Sequence, residues 1–444
     1  MAIENGSKKA DKMVKVTKKD MVLPSKDLGR RECPLVTFDL PYVTFYYNQK
    51  LLLYKGNSSI DDWEEMVGNM KEALGEILVD FYPLAGRLEK DKEGVLRVVC
   101  DVKNVGVEVV EAVVDGVGID ELGEDESSFL LQEIVPYTGV LNLEGFRRPL
   151  LAVQFTKVKD GLAIGCAFNH AILDDHSTWH FMNSWAEICR RSGSISNPPL
   201  HDHTKARNTR VKLDLRSDQS QLANSPGMMR EKIFRFSGSA IDKIKTDVNS
   251  SLSNGSKPFS TFQSLGVHIW RAVTRARHLN TKDSTVFTVF ADCRKMFDSP
   301  TPENYFGNLI QAVSTATPTT TEALLGNAPA FGASMVQKVI EMHDSKMIEG
   351  RNKEWDASPK LFQWKDAGIN RVAVGSSPRF KVYDIDFGCG RPEAVRSGKN
   401  NKFDGMVYLY EGKGGGRSID VEISLEAQAM NNLEKDKEFL MEEH

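Results

Sequence analysis

The pattern of apolar and polar positions predicts strands and helices that alternate along the chain. An apolar run over 162–168 has the length of a buried strand and ends just before His170. The apolar residues of 177–189 then recur at helical spacing, with Ser177 or Asp175 as the predicted N-cap. Because strand ends usually open onto a cleft, His170 at this strand-to-helix turn is the first candidate for a catalytic base.

The same pattern predicts the remaining elements of both halves. Its mixed order of strands and helices predicts an α/β fold with two domains of similar size. Helices are predicted over 63–79, 260–276 and 331–355, and strands over 35–54 (in two pieces broken at Pro41), 95–99, 107–114, 286–291, 371–374, 382–387, 406–410 and 419–425.

The length of 444 residues exceeds what one hydrophobic core usually supports. We therefore expect an N-terminal domain over 1–200, a crossover linker over 201–230 and a C-terminal domain over 231–444, with any ligand site in the groove between the domains. The linker is polar, so its two histidines, His201 and His203, are expected to be solvated rather than to bind a metal.

Composition excludes several classes of partner. With 41% hydrophobic residues, 27% charged residues and a formal net charge of -4, the chain has no electrostatic reason to bind nucleic acid. Residues 1–19 are expected to be a frayed, Lys-rich tail, with a patch that binds a membrane or a partner as the weaker alternative. No run reaches the ~18 apolar residues of a membrane span, and the six cysteines lack C-x-x-C spacing. A cytoplasmic protein without membrane contact is expected.

Motifs of other enzyme classes are absent or incomplete. The sequence has no G-x-S-x-G, Walker A or dinucleotide-binding motif, and Gly412 to Gly416 read as a hairpin loop rather than a phosphate cradle. His176 and His180 share a helix face as zinc-binding histidines do, but Ser177 stands where the zinc motif needs Glu. We therefore expect no metal.

The role of His170 depends on its context. A buried histidine is more often a core residue with satisfied hydrogen bonds than a base. Asp174, four residues further along a turning chain, is expected to point away from the His170 ring. Asp174 is therefore a better ion-pair anchor for a distant Arg than an orienter of the base.

Motifs spread over nearly the whole chain carry a resemblance to a known family. With these motifs in this order, the sequence resembles the plant BAHD acyltransferases, which use acyl-CoA donors. The motifs are His170-x-x-x-Asp174, Asp386-Phe387-Gly388-Cys389-Gly390, Tyr82 to Leu88, Ser260-Thr261-Phe262, Asp292-Cys293-Arg294 and Tyr305 to Asn308.

The resemblance implies two chloramphenicol-acetyltransferase-like domains of mixed sheet and helices, joined by a crossover loop, with an active-site channel at their interface. CoA would enter from one face and the acceptor from the other. His170 would be the general base, without a covalent enzyme intermediate. Asp174 would pair with Arg294, and the motif of Asp386, Gly388 and Gly390 would support the fold.

The resemblance also implies the ligands. Lys257, Ser260 and Thr261 would hold CoA near a helix N-terminus, where N–H groups and a Lys suit an anion. Acyl-CoA would be a co-substrate, with no permanently bound cofactor, and the acceptor would be an alcohol or an amine. A monomer is expected.

Four positions depart from the family pattern. Asp175 replaces the usual Gly, Cys389 replaces the usual Trp, and Leu309 makes malonyl-CoA a less suitable donor. Ser376 or Ser377 would supply the oxyanion donor. O-acylation is the leading hypothesis and N-acylation the second. Asp175 and Cys389 support a third, a protein repurposed as a lyase, cyclase or binding protein.

Overall fold

The computed structural model describes residues 13–56, 62–101, 106–124, 129–190, 193–215, 229–252, 255–315, 318–362 and 370–442. The strands are β1 (Lys15–Val22), β2 (Arg31–Pro34), β3 (Asn48–Lys55), β4 (Arg87–Lys90), β5 (Leu96–Cys100), β6 (Val107–Val113), β7 (Leu151–Val158), β8 (Gly161–Phe168), β9 (Met229–Phe236), β10 (Ser284–Asp292), β11 (Ile310–Ser314), β12 (Thr319–Thr320), β13 (Arg371–Val374), β14 (Ala394–Ser397), β15 (Met406–Glu411) and β16 (Ile419–Glu426). The helices are α1 (Trp63–Ile77), α2 (Ile119–Glu124), α3 (Phe129–Glu133), α4 (Asp175–Cys189), α5 (Gly238–Asn249), α6 (Thr261–Ala276), α7 (Thr321–Gly326), α8 (Pro329–Glu341), α9 (Ser345–Ala357), α10 (Ala427–Leu433) and α11 (Lys437–Leu440).

The first sheet has the strand order β1-β6-β7-β8-β3-β14. β6 and β7 pair in parallel, and the other neighbours are antiparallel. Every residue of β8 is buried, which is why its sequence is a continuous apolar run instead of an alternating one. Helices α1 and α4 contact each other beside this core, where Trp185 Nε1 donates to the carbonyl of Met70 at 3.1 Å. This packing fixes the direction of α4 and hence the turn that precedes it.

The second sheet has the order β11-β10-β13-β15-β16-β9, with β12 beside β10. β13 pairs in parallel with both neighbours, and β15 and β16 form an antiparallel hairpin. The predicted hairpin loop at Gly412 to Gly416 is thus confirmed. The buried face of α6, including Leu265, Ile269 and Trp270, belongs to the core of this sheet. A small third sheet has the order β2-β5-β4.

One strand crosses between the two halves of the chain. β14 lies at 394–397 in the sequence but pairs antiparallel with β3 of the first sheet, with Ala394 opposite Leu53 and Ser397 opposite Lys50. The second half supplies an edge strand of the first sheet.

Strongly patterned segments have the predicted structure. The run over 162–168 is β8, the helix over 260–276 is α6, and 371–374 is β13. The mixed α/β architecture is confirmed. The helix after His170 begins earlier than expected, because Asp174 is its N-cap and accepts a hydrogen bond from the Ser177 N–H at 3.0 Å. Neither Ser177 nor Asp175 is the cap.

Three predicted elements are wrong in form. The segment 382–387 holds a short 3-10 turn at 382–384 rather than a strand, and the helix over 331–355 is two helices, because the Asp344 side chain caps α9 at the Met347 N–H. The stretch 35–54 is interrupted by a 3-10 turn at 40–44, with Pro41 in its first positions, and its later part belongs to β3.

The two segments predicted to be loose are partly ordered. Of the tail over 1–19, residues 1–12 lie outside the described part, but 15–22 form β1. In the linker, His203 is 2% exposed, and Nε2 of His201 binds the Asp80 carbonyl at 2.6 Å. Arg207 pairs with two acidic residues of α9, so the linker is fastened to the protein on both sides. The prediction of solvated histidines is wrong, because their partners lie far away in the sequence.

Candidate functional site

His170 lies in the turn between β8 and α4, and its backbone is held by two other parts of the chain. Its N–H donates to Asn142 Oδ1 at 2.9 Å, and its carbonyl accepts from Asn308 Nδ2 at 3.0 Å. The imidazole stacks on Tyr42 with 4.4 Å between ring centroids and meets Phe45 edge-on at 6.2 Å. Both the backbone and the ring are therefore fixed in position.

The surroundings of His170 favour a neutral ring. Nδ1 lies 3.0 Å from the carbonyl oxygen of Leu173, and because a carbonyl only accepts, Nδ1 carries the proton. Burial lowers the pKa of His170 below its ordinary value of 6.5 and outweighs the opposing effect of the Leu173 hydrogen bond. Nε2 therefore keeps a free lone pair at neutral pH, which is the requirement for a base.

Asp174 is bound to the second half of the chain. Its Oδ2 accepts from Arg294 Nη1 at 2.8 Å and from the Leu309 N–H at 2.9 Å, while Oδ1 accepts from Arg294 Nη2 at 3.0 Å. Both charged residues are at most 1% exposed. Burial alone would raise the pKa of Asp174, but the Arg294 guanidinium outweighs it and holds the pKa below the ordinary value. The pair joins the turn at His170 to the segments after β10.

A cavity of about 810 Å³ opens beside His170 and draws its wall from both halves of the chain. Aromatic and aliphatic side chains supply much of the wall, and polar groups converge on it at a few points, which is the usual character of a small-molecule site. The polar side chains on the wall include those of His170, Asp175, Ser260, Thr261, Ser376 and Ser377.

The positively charged residues that line the cavity do not include the predicted Lys257. Lys245 of α5, Arg379 and Arg417 line the cavity. Lys257, the predicted CoA contact, does not line it, and its side chain is 78% exposed and pairs with Glu341 at 3.2 Å. The sequence offered no signal for Lys245, Arg379 and Arg417, because they come from separate elements that only the fold brings together.

Ser260 and Thr261 lie at the start of α6, on the cavity wall. Ser260 Oγ accepts from the Gln263 N–H at 3.3 Å, and the Ser260 N–H donates to Gln263 Oε1 at 2.7 Å. This capping box fixes the helix start and leaves the Ser260 hydroxyl proton available as a donor. The positive end of the α6 dipole therefore faces the cavity.

The two predicted oxyanion donors are not equivalent. Both line the cavity after β13. Ser377 Oγ accepts from the Arg379 N–H at 3.3 Å within a tight turn, whereas Ser376 Oγ is buried and has no hydrogen-bond partner among the described residues. Of these two serines, Ser376 is therefore the one whose hydroxyl takes part in no hydrogen bond among the described residues.

The glycine-rich motif near the C-terminal end lies apart from the cavity wall. Asp386 Oδ1 accepts from the N–H groups of Gly388 at 2.7 Å and Gly390 at 2.9 Å. Both glycines have left-handed backbone, with φ of 99° and 95°, which other residues rarely adopt. Arg190, just after α4, donates to the Asp386 carbonyl. The motif thus closes a turn against the end of the helix that follows His170.

Sequence reasoning missed the residues that hold His170 in place. From the sequence, Asn308 is expected only as the last residue of a family motif, and Tyr42 and Asn142 are not predicted to contact His170. Asn308 has 0% exposure, donates to the His170 carbonyl and to Asp39 Oδ1, and so ties the base to a second buried carboxylate. The place of Asn308 in the motif Tyr305 to Asn308 was the one available signal.

The rival metal site is not assembled. His176 Nε2 lies 2.9 Å from the Glu303 carbonyl and His180 Nε2 lies 2.6 Å from the Asn197 carbonyl. Across the described ranges, no group of three His, Cys, Asp or Glu residues is placed to hold a metal ion. Among the helices of those same ranges, none has both the length and the apolar character needed to cross a bilayer.

Comparison with known proteins gives matches over nearly the full length. Residues 12–440 match the model of the Transferase family. The chain is 55% identical to the BAHD acyltransferase DCR of Arabidopsis thaliana, over 97% of this chain and 93% of that protein. It is 28% identical to a hydroxycinnamoyl-CoA:5-hydroxyanthranilate N-hydroxycinnamoyltransferase of Avena sativa, over 90% of this chain and 92% of that protein.

Solved structures show the same fold at low identity. Vinorine synthase superposes with a TM-score of 0.72 at 20% identity, covering 97% of this chain and 98% of that one. TRI101 of F. sporotrichioides, solved with coenzyme A and T-2, gives a TM-score of 0.74 at 20% identity, covering 93% and 98% of the two chains.

Proposed function

Because the chain belongs to the BAHD acyltransferases of the Transferase family, we propose that it moves an acyl group from a CoA thioester to a hydroxyl of a small plant metabolite. The protein is an acyltransferase by family. The observation that supports the proposal most is the neutral, fixed His170 on the wall of a cavity that is large enough for a small-molecule acceptor.

In the proposed step, the acceptor oxygen attacks the thioester carbonyl carbon while His170 Nε2 takes the acceptor proton. The tetrahedral intermediate then expels the CoA thiolate, which takes this proton from the imidazolium. An ester and free CoA remain, without a covalent bond to the enzyme. Base catalysis of this kind contributes about 10²–10⁴ in rate.

Ser376 is the proposed donor to the oxyanion of the intermediate. Its buried Oγ has no partner among the residues described and lines the same cavity as His170. A hydroxyl held ready for the developing charge stabilises the intermediate more than the neutral carbonyl. Asp174 acts through structure, because all of the described hydrogen bonds of its carboxylate come from Ser177, Arg294 and Leu309.

CoA is proposed to lie against the second half of the cavity wall. The start of α6 at Ser260 and Thr261 offers N–H groups and a hydroxyl, and Lys245, Arg379 and Arg417 supply positive charge for phosphates. The bound CoA of TRI101 is consistent with this donor. The 78% exposed Lys257 is not part of this proposal.

A single chain supplies His170, Arg294 and Ser376 together, which supports action as a monomer. All six cysteines are free thiols, which fits the proposed reducing cytoplasm. An amine acceptor is the second candidate, because the Avena sativa relative is named as an N-transferase.

The test uses purified protein with acetyl-CoA, palmitoyl-CoA and a hydroxycinnamoyl-CoA, and panels of alcohols and amines. We expect free thiol release that needs both donor and acceptor, with an ester as the product and with an unchanged intact mass of the enzyme after incubation with donor alone. An acyl adduct on the protein would overturn the mechanism. Conversion of an acceptor without CoA would overturn the function.

A further inference from the structure

The cavity wall beside His170 carries a buried ion pair that the acyl transfer step does not use. Lys50 of β3 is 1% exposed, and its Nζ lies 2.8 Å from Oδ1 of Asp175, the first residue of α4. The ammonium also lies over the rings of Trp179 and Tyr408, at 5.4 and 5.8 Å from their centroids. Asp175 lines the cavity together with His170 and Tyr408.

Asp175 is only half satisfied by this pair. Its Oδ2 is buried and has no hydrogen-bond partner within the part of the chain described, while 13% of its side chain remains exposed. A buried carboxylate oxygen without a hydrogen-bond donor is unfavourable. A ligand group that donates a hydrogen bond to such an oxygen in a cavity wall therefore gains binding free energy. The last torsion of an Asp is broad and nearly two-fold, so either oxygen can turn to the cavity while the other stays with Lys50.

We propose that Asp175 determines acceptor specificity by accepting a hydrogen bond from a second, neutral donor group of the acceptor, such as a second hydroxyl. The first hydroxyl would meet His170. This inference rests on the proposed acyl transfer and adds to it the class of acceptor.

Lys50 decides the charge of that second group. The Lys50 ammonium already balances the Asp175 charge at 2.8 Å, so a cationic group arriving beside the pair meets repulsion from Lys50 and no net attraction. A hydroxyl gains the hydrogen bond without this repulsion. The pair therefore selects neutral diols over both simple alcohols and amino alcohols.

The test compares matched acceptors with the best donor of the acyl-CoA series. The acceptors are α,ω-diols from butane-1,4-diol to dodecane-1,12-diol, each with its 1-alkanol and its ω-amino-1-alkanol, and thiol release gives kcat/KM. At the best chain length we expect the diol to exceed the alkanol by at least about tenfold after correction for its two hydroxyls. The amino alcohol should not exceed the alkanol.

Variants test whether the preference for diols depends on the pair of Lys50 and Asp175. Asp175→Gly should bring kcat/KM for the diol down to the level of the alkanol. Since Asp175→Gly leaves Lys50 buried without its partner, the double variant Lys50→Met with Asp175→Gly removes both charges and should lose the same preference. The control changes an exposed pair formed by Lys55, on the same strand as Lys50, and Asp120 of α2. The variant Lys55→Met with Asp120→Asn should keep the preference.

The outcomes separate the two proposals. A diol preference that disappears in the double variant but persists in the control supports the inference. Thiol release with alkanols but no diol preference at any length, or a preference that the double variant retains, overturns the inference and leaves acyl transfer standing. Failure of every acceptor and donor to release thiol overturns acyl transfer and the inference together.

Discussion

His170 and His203 are both buried histidines, yet their partners favour opposite charge states. His170 faces one carbonyl, and burial lowers its pKa. His203 has Nε2 at 2.9 Å from the Phe306 carbonyl and Nδ1 at 3.3 Å from Asp39 Oδ2. Burial opposes a charged ring there as well, but neighbouring Cys33 and Asp39 raise the pKa of His203 well above 6.5. The partners of a buried imidazole, more than its depth, decide its charge.

The two histidines are also linked. The Asp39 carboxylate that pairs with His203 accepts from the Asn308 N–H at 3.2 Å and from Asn308 Nδ2 at 3.0 Å. The same Nδ2 donates to the His170 carbonyl at 3.0 Å. A charged histidine of the linker thus anchors the turn that carries a neutral one. The first has a structural role, and the second is the residue to which we assign the proposed chemistry.

The sharpest test of this division is His170→Ala. We expect kcat/KM to fall by about 10²–10⁴ because the base is lost, while the melting temperature changes little. Thiol release and thermal melting measure the two effects, and His278→Asn, at an exposed histidine with φ of 51°, is the control. A large loss of stability with wild-type activity would reverse the assignment of roles.

Asp174→Asn should lower the stability of the protein, as a change at His203 should, because Asp174 has a structural role and is not the proposed base. Loss of the carboxylate leaves Arg294 buried at 1% exposure without its counter-charge, and breaking such a pair costs about 3–5 kcal/mol of unfolding free energy. Denaturant unfolding measures it. Asp120→Asn, which breaks the exposed pair with Lys55, should change stability by less than about 1 kcal/mol. Unchanged stability of Asp174→Asn with lost activity would make Asp174 a direct partner of the base.

His203→Gln should lower stability by about 1.5–3 kcal/mol at acidic to neutral pH. Because the folded pKa of His203 is raised, its stabilisation is fully present below the unfolded pKa of about 6.5 and is lost as pH rises through the folded pKa. The difference between wild type and His203→Gln should therefore shrink as the pH rises, in unfolding curves taken from pH 6 upward. A difference that grows with pH would contradict a charged His203.

The smallest effect is on the pH profile of activity. Protonation of His170 removes the base, so kcat/KM should fall on the acid side with a midpoint below 6.5, since burial lowers the pKa of the ring. His203→Gln should leave this midpoint in place, because His203 titrates elsewhere. A midpoint above 7 in wild type would show that the base is not a buried neutral imidazole.

The elements predicted most accurately from the sequence are those whose structure is determined by the local pattern of apolar residues. β8 and α6 follow from a continuous apolar run and from helical periodicity, and the structure has both. The pattern of 382–387 predicts a strand, but Asp386 lies within this segment, and its carboxylate accepts hydrogen bonds from two backbone N–H groups that follow it and so closes a turn. Local alternation could not reveal that competition.

The candidate site was predictable only in part for a related reason. His170 stands at the end of a strong strand signal, so its place could be inferred from its neighbours. The partners that decide its position and charge come from elsewhere, such as Asn308, 138 residues away. His203 was misjudged because Asp39 and Phe306 are equally remote, and Lys50 gave no sign that it would lie against Asp175.

The position of β14 at 394–397 has a consequence for how the protein is made. While a ribosome is still translating the second half, β3 has β8 on one side and a free edge on the other, and unpaired strand edges invite association with other chains. The first sheet stays incomplete until about nine-tenths of the polypeptide has been synthesised, because β14 can pair with β3 only then. Synthesis of residues 1–230 alone would leave that edge permanently open.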